Sequence, residues 1–265
     1  MNKKTKVVDK NHFNIYGVIT LVILIIYIIG LAYFLLYSHR QIKNIYTDIE
    51  KKQLENNFLR SEIIRLKEEK ADSIFNLDLE TDNSIYKFVT SSKAFNDIGY
   101  IPENLEKIGS KFVYDTKGGR QLVTSETNEA LQKIGEAFYG NFNKKISIVS
   151  AYRSYAYQEG IKRGGCPDNL CAKAGFSEHQ SGLAVDIWEV STNRAWMNNS
   201  VLRSYYDWFN INAHTYGFTN TYQKGLLIDG YEIEPWHWRY IGIPLATYLK
   251  ENNLTVAEFY NSRND

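Results

Sequence analysis

The sequence predicts an α+β fold, with a mostly antiparallel sheet and helices packed against it, preceded by a transmembrane helix and a helical stalk. Three observations support this prediction. An almost unbroken apolar run covers residues 15–37, and a segment rich in Lys, Glu, Asn and Ile, without Pro or Gly, covers 41–72. Beyond residue 100, helix and strand patterns follow each other without regular βαβ alternation, which is typical of α+β domains.

The apolar run 15–37 contains no ionisable acid or base other than tyrosine and is interrupted only by Gly17, Thr20 and Gly30. At 1.5 Å per residue it is long enough to span a hydrocarbon core of about 30 Å. No small-residue cleavage site follows it, so we expect an uncleaved signal anchor over 13–37. Lysines precede the run, which favours a cytoplasmic tail at 1–12 and an extracytoplasmic location for everything after the span. The chain is thus predicted to be a single-pass protein of the cell membrane.

A helical stalk is predicted over 38–75. Its apolar residues recur at intervals of three and four, which is the spacing of a coiled-coil seam. Lys52 and Asn56 interrupt that seam. A weak parallel coiled coil, and hence a homodimer through the stalk, fits this pattern, and so does a solvated spacer helix without a partner. The seam residues are Ile42, Ile45, Ile49, Leu59, Ile63 and Leu66.

The remaining chain divides into a polar linker, predicted at 76–98, and a globular domain at 99–265. In that domain we expect a helix capped by Ser125, a strand over 146–149, a helix through 158–163 and a strand over 183–188. A helix over 203–216 should end at Gly217, since glycine is favoured just past a helix end. Strands over 218–222 and 236–241 and helices over 245–251 and 256–260 complete the prediction.

The charge balance argues against one class of partner. The chain has 31 basic and 30 acidic side chains and a net charge of +1. No basic stripe stands out in the C-terminal half, and binding to nucleic acid usually requires one. Nucleic acid is therefore not expected as a partner.

Two short motifs near the C-terminal end carry the chemistry: SEHQSGLAVD at 177–186 and EPWH at 234–237. They supply His179, Asp186 and His237 as metal ligands and Glu234 as a base. Three ligands that leave one coordination position for water, with a base beside it, form the inventory of a catalytic zinc site. We expect Glu234 to act as general base towards water and as general acid towards the leaving amine.

The local sequence suggests how these groups converge. Gly182 permits a tight turn between His179 and Asp186, so that the loop bearing the histidine folds back over a strand bearing the aspartate. On an ideal strand Glu234 and His237 would face opposite sides. Pro235 restricts the backbone and favours a bend that turns both groups inward.

The two cysteines, Cys166 and Cys171, lie just before the first motif. A lone close pair suits an oxidising compartment, and we expect a disulfide that pins the segment leading to His179. Two free thiols also fit the sequence. A cysteine zinc site is not expected, because no second ligand pair is present.

These motifs resemble those of the VanY-type zinc D,D- and L,D-carboxypeptidases of bacterial cell walls. The resemblance covers most of 100–242. It includes the segments SAYRS at 150–154, NAHTYGF at 212–218 and EPWHWRYIG at 234–242, in the order of the family.

The resemblance implies zinc bound by His179, Asp186 and His237, with Glu234 as the catalytic base. It implies that Arg153 lies near the metal, where its planar donors can hold an oxyanion or the terminal carboxylate of the substrate. It also implies peptidoglycan stem peptides as substrates. The residues expected to orient the peptide are Arg153, Ser154, Gln158 and Ser177.

Removal of the terminal D-alanine from a stem peptide is the predicted activity, and cleavage of a D,D or an L,D bond fits equally well. An endopeptidase of the same fold that cuts within a stem or cross-link is the second hypothesis. A wall-binding module with a vestigial site is the third, although a binding module has no need of Glu234.

Overall fold

The computed structural model describes residues 10–188 and 192–263. The chain forms two compact units, Met1–Lys70 and Ala71–Asp265. One helix, α1, runs through Lys10–Phe75, and the window Ile15–Lys67 within it is long and apolar enough to cross a membrane. Its length and composition fit a membrane anchor and a signal sequence alike. Most of the predicted tail, residues 1–9, lies outside the described ranges.

The second unit begins earlier than the sequence predicts. The segment 76–98, predicted as a linker, contains the buried side chains of Leu79, Phe88, Val89 and Phe95. Leu79 and Phe88 pack in one apolar cluster with residues from the two last helices of the chain. The compact unit therefore starts at Ala71 rather than at residue 99, because irregular segments can bury apolar residues without a helical or strand period.

Short strands and helices alternate irregularly along the second unit. The strands are β1 (Leu105–Lys107), β2 (Val113–Asp115), β3 (Leu122–Thr124), β4 (Ile146–Ser150), β5 (Ala184–Ile187), β6 (Phe218–Asn220) and β7 (His237–Tyr240). The helices are α2 (Ser125–Phe142), α3 (Tyr155–Arg163), α4 (Asn193–Asn198), α5 (Ser200–Asn212), α6 (Leu226–Asp229), α7 (Ile243–Asn252) and α8 (Val256–Asn261). Single 3₁₀ turns cover Glu178–Ser181 and Ala213–Tyr216.

Among the described residues, the main sheet has five strands in the order β2-β4-β5-β7-β6, and β1 pairs with β3 in a separate ribbon. The sheet is mixed, because β2 runs parallel to β4 while the other neighbours are antiparallel. The prediction of a helix and strand domain is confirmed, whereas the prediction of a mostly antiparallel sheet is corrected to a mixed one. The parallel pair joins residues 113–115 of β2 with residues 146–148 of β4, which are distant in the sequence. No local sequence pattern predicts such a pairing.

The core lies on one face of this sheet, under α2. Ala130, Leu131, Ile134 and Phe138 recur at helical spacing on the buried side of α2. Thr124 caps this helix, with its side chain accepting a hydrogen bond from the backbone of Thr127, so the cap stands one residue before the predicted Ser125. The sheet contributes Ile146, Ile148, Val185, Ile187 and Trp238 to the same cluster.

Candidate active site

The site occupies the face of the sheet that turns away from this core. Val185 and Ile187 point into the core, so the alternation of side chains along β5 places Asp186 on the opposite face. The register pairs Asp186 with His237 across β5 and β7. Their Oδ1 and Nδ1 atoms lie 3.1 Å apart.

His179 reaches the same point from the 3₁₀ turn that precedes β5. Gly182 ends that turn with φ 69° and ψ 8°, a left-handed conformation that glycine adopts without strain. The ring Nδ1 of His179 lies 2.8 Å from the carbonyl oxygen of Ala151, which leaves Nε2 facing Asp186 Oδ2 at 3.2 Å. The loop that bears His179 folds back over β5 in the structure, as the sequence predicts.

Arg153 is positioned by an irregularity in β4. Ser150 pairs with Asp186, and the register shifts between Ile148 and Ser150, so Ser150 turns away from the core that Ile148 faces. Arg153 Nε donates to Ser150 Oγ at 2.7 Å, and Nη2 donates to Asp186 Oδ2 at 2.6 Å. The guanidinium is thereby fixed beside the predicted ligands.

Glu234 lies at the start of the bend that leads into β7. The backbone N–H of His237 donates to the carbonyl of Glu234 at 3.2 Å, which closes a turn around Pro235. The Glu234 Oε2 atom is 3.9 Å from His237 Nδ1, beside the histidines and Asp186. Burial raises the pKa of the Glu234 carboxyl to about 7, a range that suits a group exchanging protons near neutral pH.

Glu178 is a site residue that the sequence analysis missed. Its side chain is buried, and its Oε2 atom lies 2.9 Å from His237 Nε2. Arg239 Nη1 donates to the other carboxylate oxygen at 2.7 Å, and Thr221 Oγ1 donates to Oε2 at 2.8 Å. Burial opposes the charge, but Arg239 and His237 lower the pKa of Glu178 to about 2. Glu178 therefore holds the far side of the His237 ring and directs Nδ1 towards Asp186.

The histidines differ in protonation in the absence of a cation. Burial, with Arg153 nearby, lowers the pKa of His179 to about 4. Burial acts in the same direction on His237, but hydrogen bonds to Asp186 and Glu178 raise its pKa to about 10. A proton on His237 thus balances carboxylates that converge on it, which is a role a metal cation can take over.

A cavity of about 430 Å³ opens onto these groups. Its polar lining includes Arg153, Ser177, His179, Asp186, Glu234 and His237, and two tyrosines, Tyr222 and Tyr231, also lie in its wall. Cys166 and Cys171 form a disulfide, and the loop that it closes contributes Asn169, Leu170 and Cys171 to the cavity.

The predicted peptide-orienting residues separate in the structure. Ser177 is buried and lines the cavity with Arg153. Ser154 is instead the N-cap of α3, and its side chain accepts a hydrogen bond from the backbone of Tyr157. Gln158 is also buried away from the cavity lining, and its Nε2 donates to the carbonyl of Ala172 at 2.7 Å. Both side chains thus have partners within the fold, and their contact with the peptide stays a prediction.

The three predicted ligands have the donor atoms and the spacing that a metal ion requires. One ligand atom each from His179, Asp186 and His237 lies within 4.8 Å of the other two. Two imidazole nitrogens and one carboxylate oxygen are donors that zinc accepts, and three protein ligands leave a position open. The other nitrogen of each ring has its own partner, as is usual for metal-binding histidines. The residues present fit a metal ion.

Comparisons with known proteins agree with this geometry. The family model described as VanY, D-alanyl-D-alanine carboxypeptidase, matches residues 120–243. The putative carboxypeptidase YodJ of Bacillus subtilis (strain 168) is 32% identical over 171 residues, which cover 61% of this chain and 62% of that protein. The match to that curated relative thus spans less than two thirds of its length.

Two solved structures share the fold. The LdcB LD-carboxypeptidase superimposes with a TM-score of 0.58 at 29% identity and covers 68% of this chain and 87% of its own. A mutant of the vancomycin resistance D,D-pentapeptidase VanY in complex with Zn(II) gives a TM-score of 0.52 at 26% identity. That match covers 68% of this chain and 99% of its own. The segment 120–243 contains all four residues of the two motifs, and this part of the chain is similar to the VanY-type carboxypeptidases.

Proposed function

We propose that this protein is a membrane-anchored zinc carboxypeptidase that removes the terminal D-alanine from peptidoglycan stem peptides. The observation that carries the proposal is the convergence of His179, Asp186 and His237 beside Glu234 in one cavity. One curated relative, from Enterococcus faecalis (strain ATCC 700802 / V583), is a D-alanyl-D-alanine carboxypeptidase and the similar structure LdcB is an LD-carboxypeptidase, which supports the same class of reaction. The scissile bond is D,D or L,D, since both end in a free carboxylate and need the same hydrolytic groups.

His179, Asp186 and His237 are proposed to hold the zinc ion. Zinc in such a site supplies a Lewis acid that polarises a carbonyl and makes water acidic enough to lose a proton near neutral pH. Asp186 also accepts from Arg153, so its carboxylate links the ligand set to the guanidinium.

Glu234 is proposed to move the protons. Its carboxyl is largely shielded from solvent, and its Oε2 atom stands 3.9 Å from His237 Nδ1, too far for a hydrogen bond, so the carboxylate could accept a proton from a water molecule in the cavity. It takes a proton from the attacking water and gives it to the amine that leaves. Such positioned acid–base catalysis contributes roughly 10²–10⁴-fold in rate.

Arg153 is proposed to recognise the end of the peptide. Its Nε and Nη2 atoms are committed to Ser150 and Asp186, which fixes the plane of the guanidinium against the cavity wall. A guanidinium held in this way can bind a carboxylate or the oxyanion that develops during attack. The preference for a terminal carboxylate would make the enzyme a carboxypeptidase rather than an endopeptidase.

The apolar helix of the first unit supports a proposal for the location of the protein in the cell. The apolar segment within α1 is read as a single membrane anchor, with the second unit on the extracytoplasmic side. The disulfide between Cys166 and Cys171 supports this side, because disulfides persist in oxidising compartments.

The test is a product analysis with the full chain in detergent micelles, supplied with zinc and with defined stem tetrapeptides and pentapeptides. Loss of one D-alanine from either substrate, measured by mass, is expected, and the Glu234→Gln protein serves as the inactive control. Cleavage at an internal bond would favour the endopeptidase. Binding of the peptides without any product would favour a wall-binding module.

A further inference from the structure

The part of α1 that follows the predicted span carries a mainly apolar seam. Its positions alternate in steps of three and four through Ile42, Ile45, Ile49, Lys52, Asn56, Leu59, Ile63 and Leu66. The six apolar members are 45–56% exposed. An apolar stripe on a helix surface, even one interrupted by Lys52 and Asn56, is unfavourable in water, and it marks a face that contacts a partner.

We propose that residues 42–67 form a parallel two-stranded coiled coil with a second copy of this chain. In heptad notation the seam places isoleucine at three of the four a positions and leucine at two of the four d positions. β-Branched residues at a with leucine at d favour two strands. Asn56 occupies the remaining a position, where a buried asparagine specifies the dimer and its register at some cost in stability.

The charges beside the seam determine the orientation. Glu55 and Glu62 stand at g positions, and Arg60 and Lys67 stand at e positions. In a parallel pair each g residue faces the e residue five positions later in the second copy, so that glutamate meets arginine or lysine at both places. In an antiparallel pair g would face g and e would face e, which brings like charges together. Charge complementarity therefore selects the parallel pair.

Three other apolar side chains in this stretch lie off the seam, at outer heptad positions. Leu54, Phe58 and Ile64 are 71%, 66% and 57% exposed. They do not contribute to the predicted interface, and Ile64 next to Ile63 provides a matched control. The inference depends only on α1, so it is independent of the proposed activity of the second unit.

The first test measures the mass of the full chain in detergent micelles by light scattering, corrected for bound detergent. The wild-type protein is expected to contain two chains. Ile63→Lys, on the seam, should yield one chain, and Ile64→Lys, off the seam, should leave two. A single chain in the wild type, or equal loss in both variants, would overturn the proposal.

A charge exchange tests the partner and its orientation. Glu55→Lys with Glu62→Lys makes all four flanking positions basic and should yield one chain. Adding Arg60→Glu and Lys67→Glu restores opposite charges across the pair and should restore two chains. Failure of the fourfold variant to recover, while it remains helical by circular dichroism, would show that these residues do not pair.

Cysteine cross-linking tests the parallel register. The native cysteines are joined in a disulfide, so an introduced thiol is the reactive one among the described residues. Ile42→Cys should give a covalent dimer under mild oxidation, because only a parallel pair brings the two copies of this position together. In an antiparallel pair they would be about 35 Å apart at 1.5 Å per residue. Thr47→Cys, at an outer position, should cross-link only at background level, and equal yields would contradict the register.

Discussion

The two units of this protein distribute their side chains in opposite ways. In the described part of Met1–Lys70 isoleucines and leucines are exposed on the helix surface, with Ile23 at 60% and Leu36 at 72% exposure. In Ala71–Asp265 charged side chains are buried instead, and Glu178 and Arg239 are each 1% exposed. Both arrangements cost free energy unless something compensates them. The exposed apolar side chains of the first unit therefore need a partner outside the helix. The buried charged side chains of the second unit need partners within the fold.

Compensation in the second unit is local and largely visible. Arg239 neutralises Glu178, Glu178 orients His237, and Arg153 pairs with Asp186. The carboxylates and imidazoles that remain face one another around a point where a cation would lie. In the first unit, the proposed compensation comes from a membrane around 15–37 and a second chain along 42–67.

The largest expected effect of a single substitution on turnover comes from the base. Glu234→Gln should keep the zinc but lower kcat by roughly 10²–10⁴-fold, since an amide cannot accept the proton of water. Turnover on a stem peptide and zinc content measured on the same sample check this. Activity within a few-fold of the wild type would place the base elsewhere.

Loss of the charge that orients His237 should weaken metal binding, and it should also destabilise the fold, because Arg239 is then buried without a carboxylate partner. Glu178→Gln keeps the volume and an acceptor for His237 but removes the charge, and changes of this kind weaken metal binding by roughly 10–100-fold. Competition with a chelating dye measures the affinity. Glu232→Gln, also in the cavity wall, is the matched control and should bind zinc like the wild type. Unchanged affinity in Glu178→Gln would show that its contact with His237 is only structural.

Arg153→Lys should lower kcat/KM by about 10–100-fold, the range expected for loss of one hydrogen bond to a charged group. A point charge cannot reproduce the planar donors that contact Ser150 and Asp186. Amidating the terminal carboxylate of the substrate should erase the difference between variant and wild type if Arg153 binds that carboxylate. A persistent difference would assign it to the oxyanion.

Truncation should have the smallest effect on chemistry. A fragment 71–265 is expected to hydrolyse free stem peptides within a few-fold of the full chain, because the cavity lining lies wholly beyond residue 150. A fragment 99–265 lacks Leu79 and Phe88 from an apolar cluster, and it should melt at a lower temperature. Equal melting temperatures would restore the linker interpretation of 76–98. An inactive but folded and zinc-loaded fragment 71–265 would show that the first unit contributes to the site.

The two motifs predicted which side chains converge, because His179, Asp186, Glu234 and His237 stand in short, recognisable spacings, and the structure brings these four side chains together. The strand register that brings these residues together could not be predicted from the sequence. The pairing of Ser150 with Asp186, for example, depends on a bulge and on two strands that are far apart in the chain. The signal for Glu178 was present in retrospect. It adjoins a predicted ligand, and Arg239 lies between the aromatic residues Trp238 and Tyr240 in β7, where a buried cation needs a carboxylate partner.

The polar segment before the domain shows another limit. Leu79, Phe88 and Phe95 are spaced irregularly among polar residues, so neither a helical nor a strand period marks them as buried. Ser154 shows the converse, because the family pattern that suggests a contact with the peptide gives no sign that this serine also caps α3. Tertiary context decides both cases.

Zinc content per chain tests the central claim most directly. Wild-type protein loaded with zinc and dialysed should retain about one equivalent, since three ligands converge on one point. His237→Ala should lose most of it, because the variant removes one proposed ligand and its contact with Glu178. His214→Ala, which removes a histidine outside the cluster, should keep the wild-type amount. Undiminished zinc in His237→Ala would contradict the assigned ligand set.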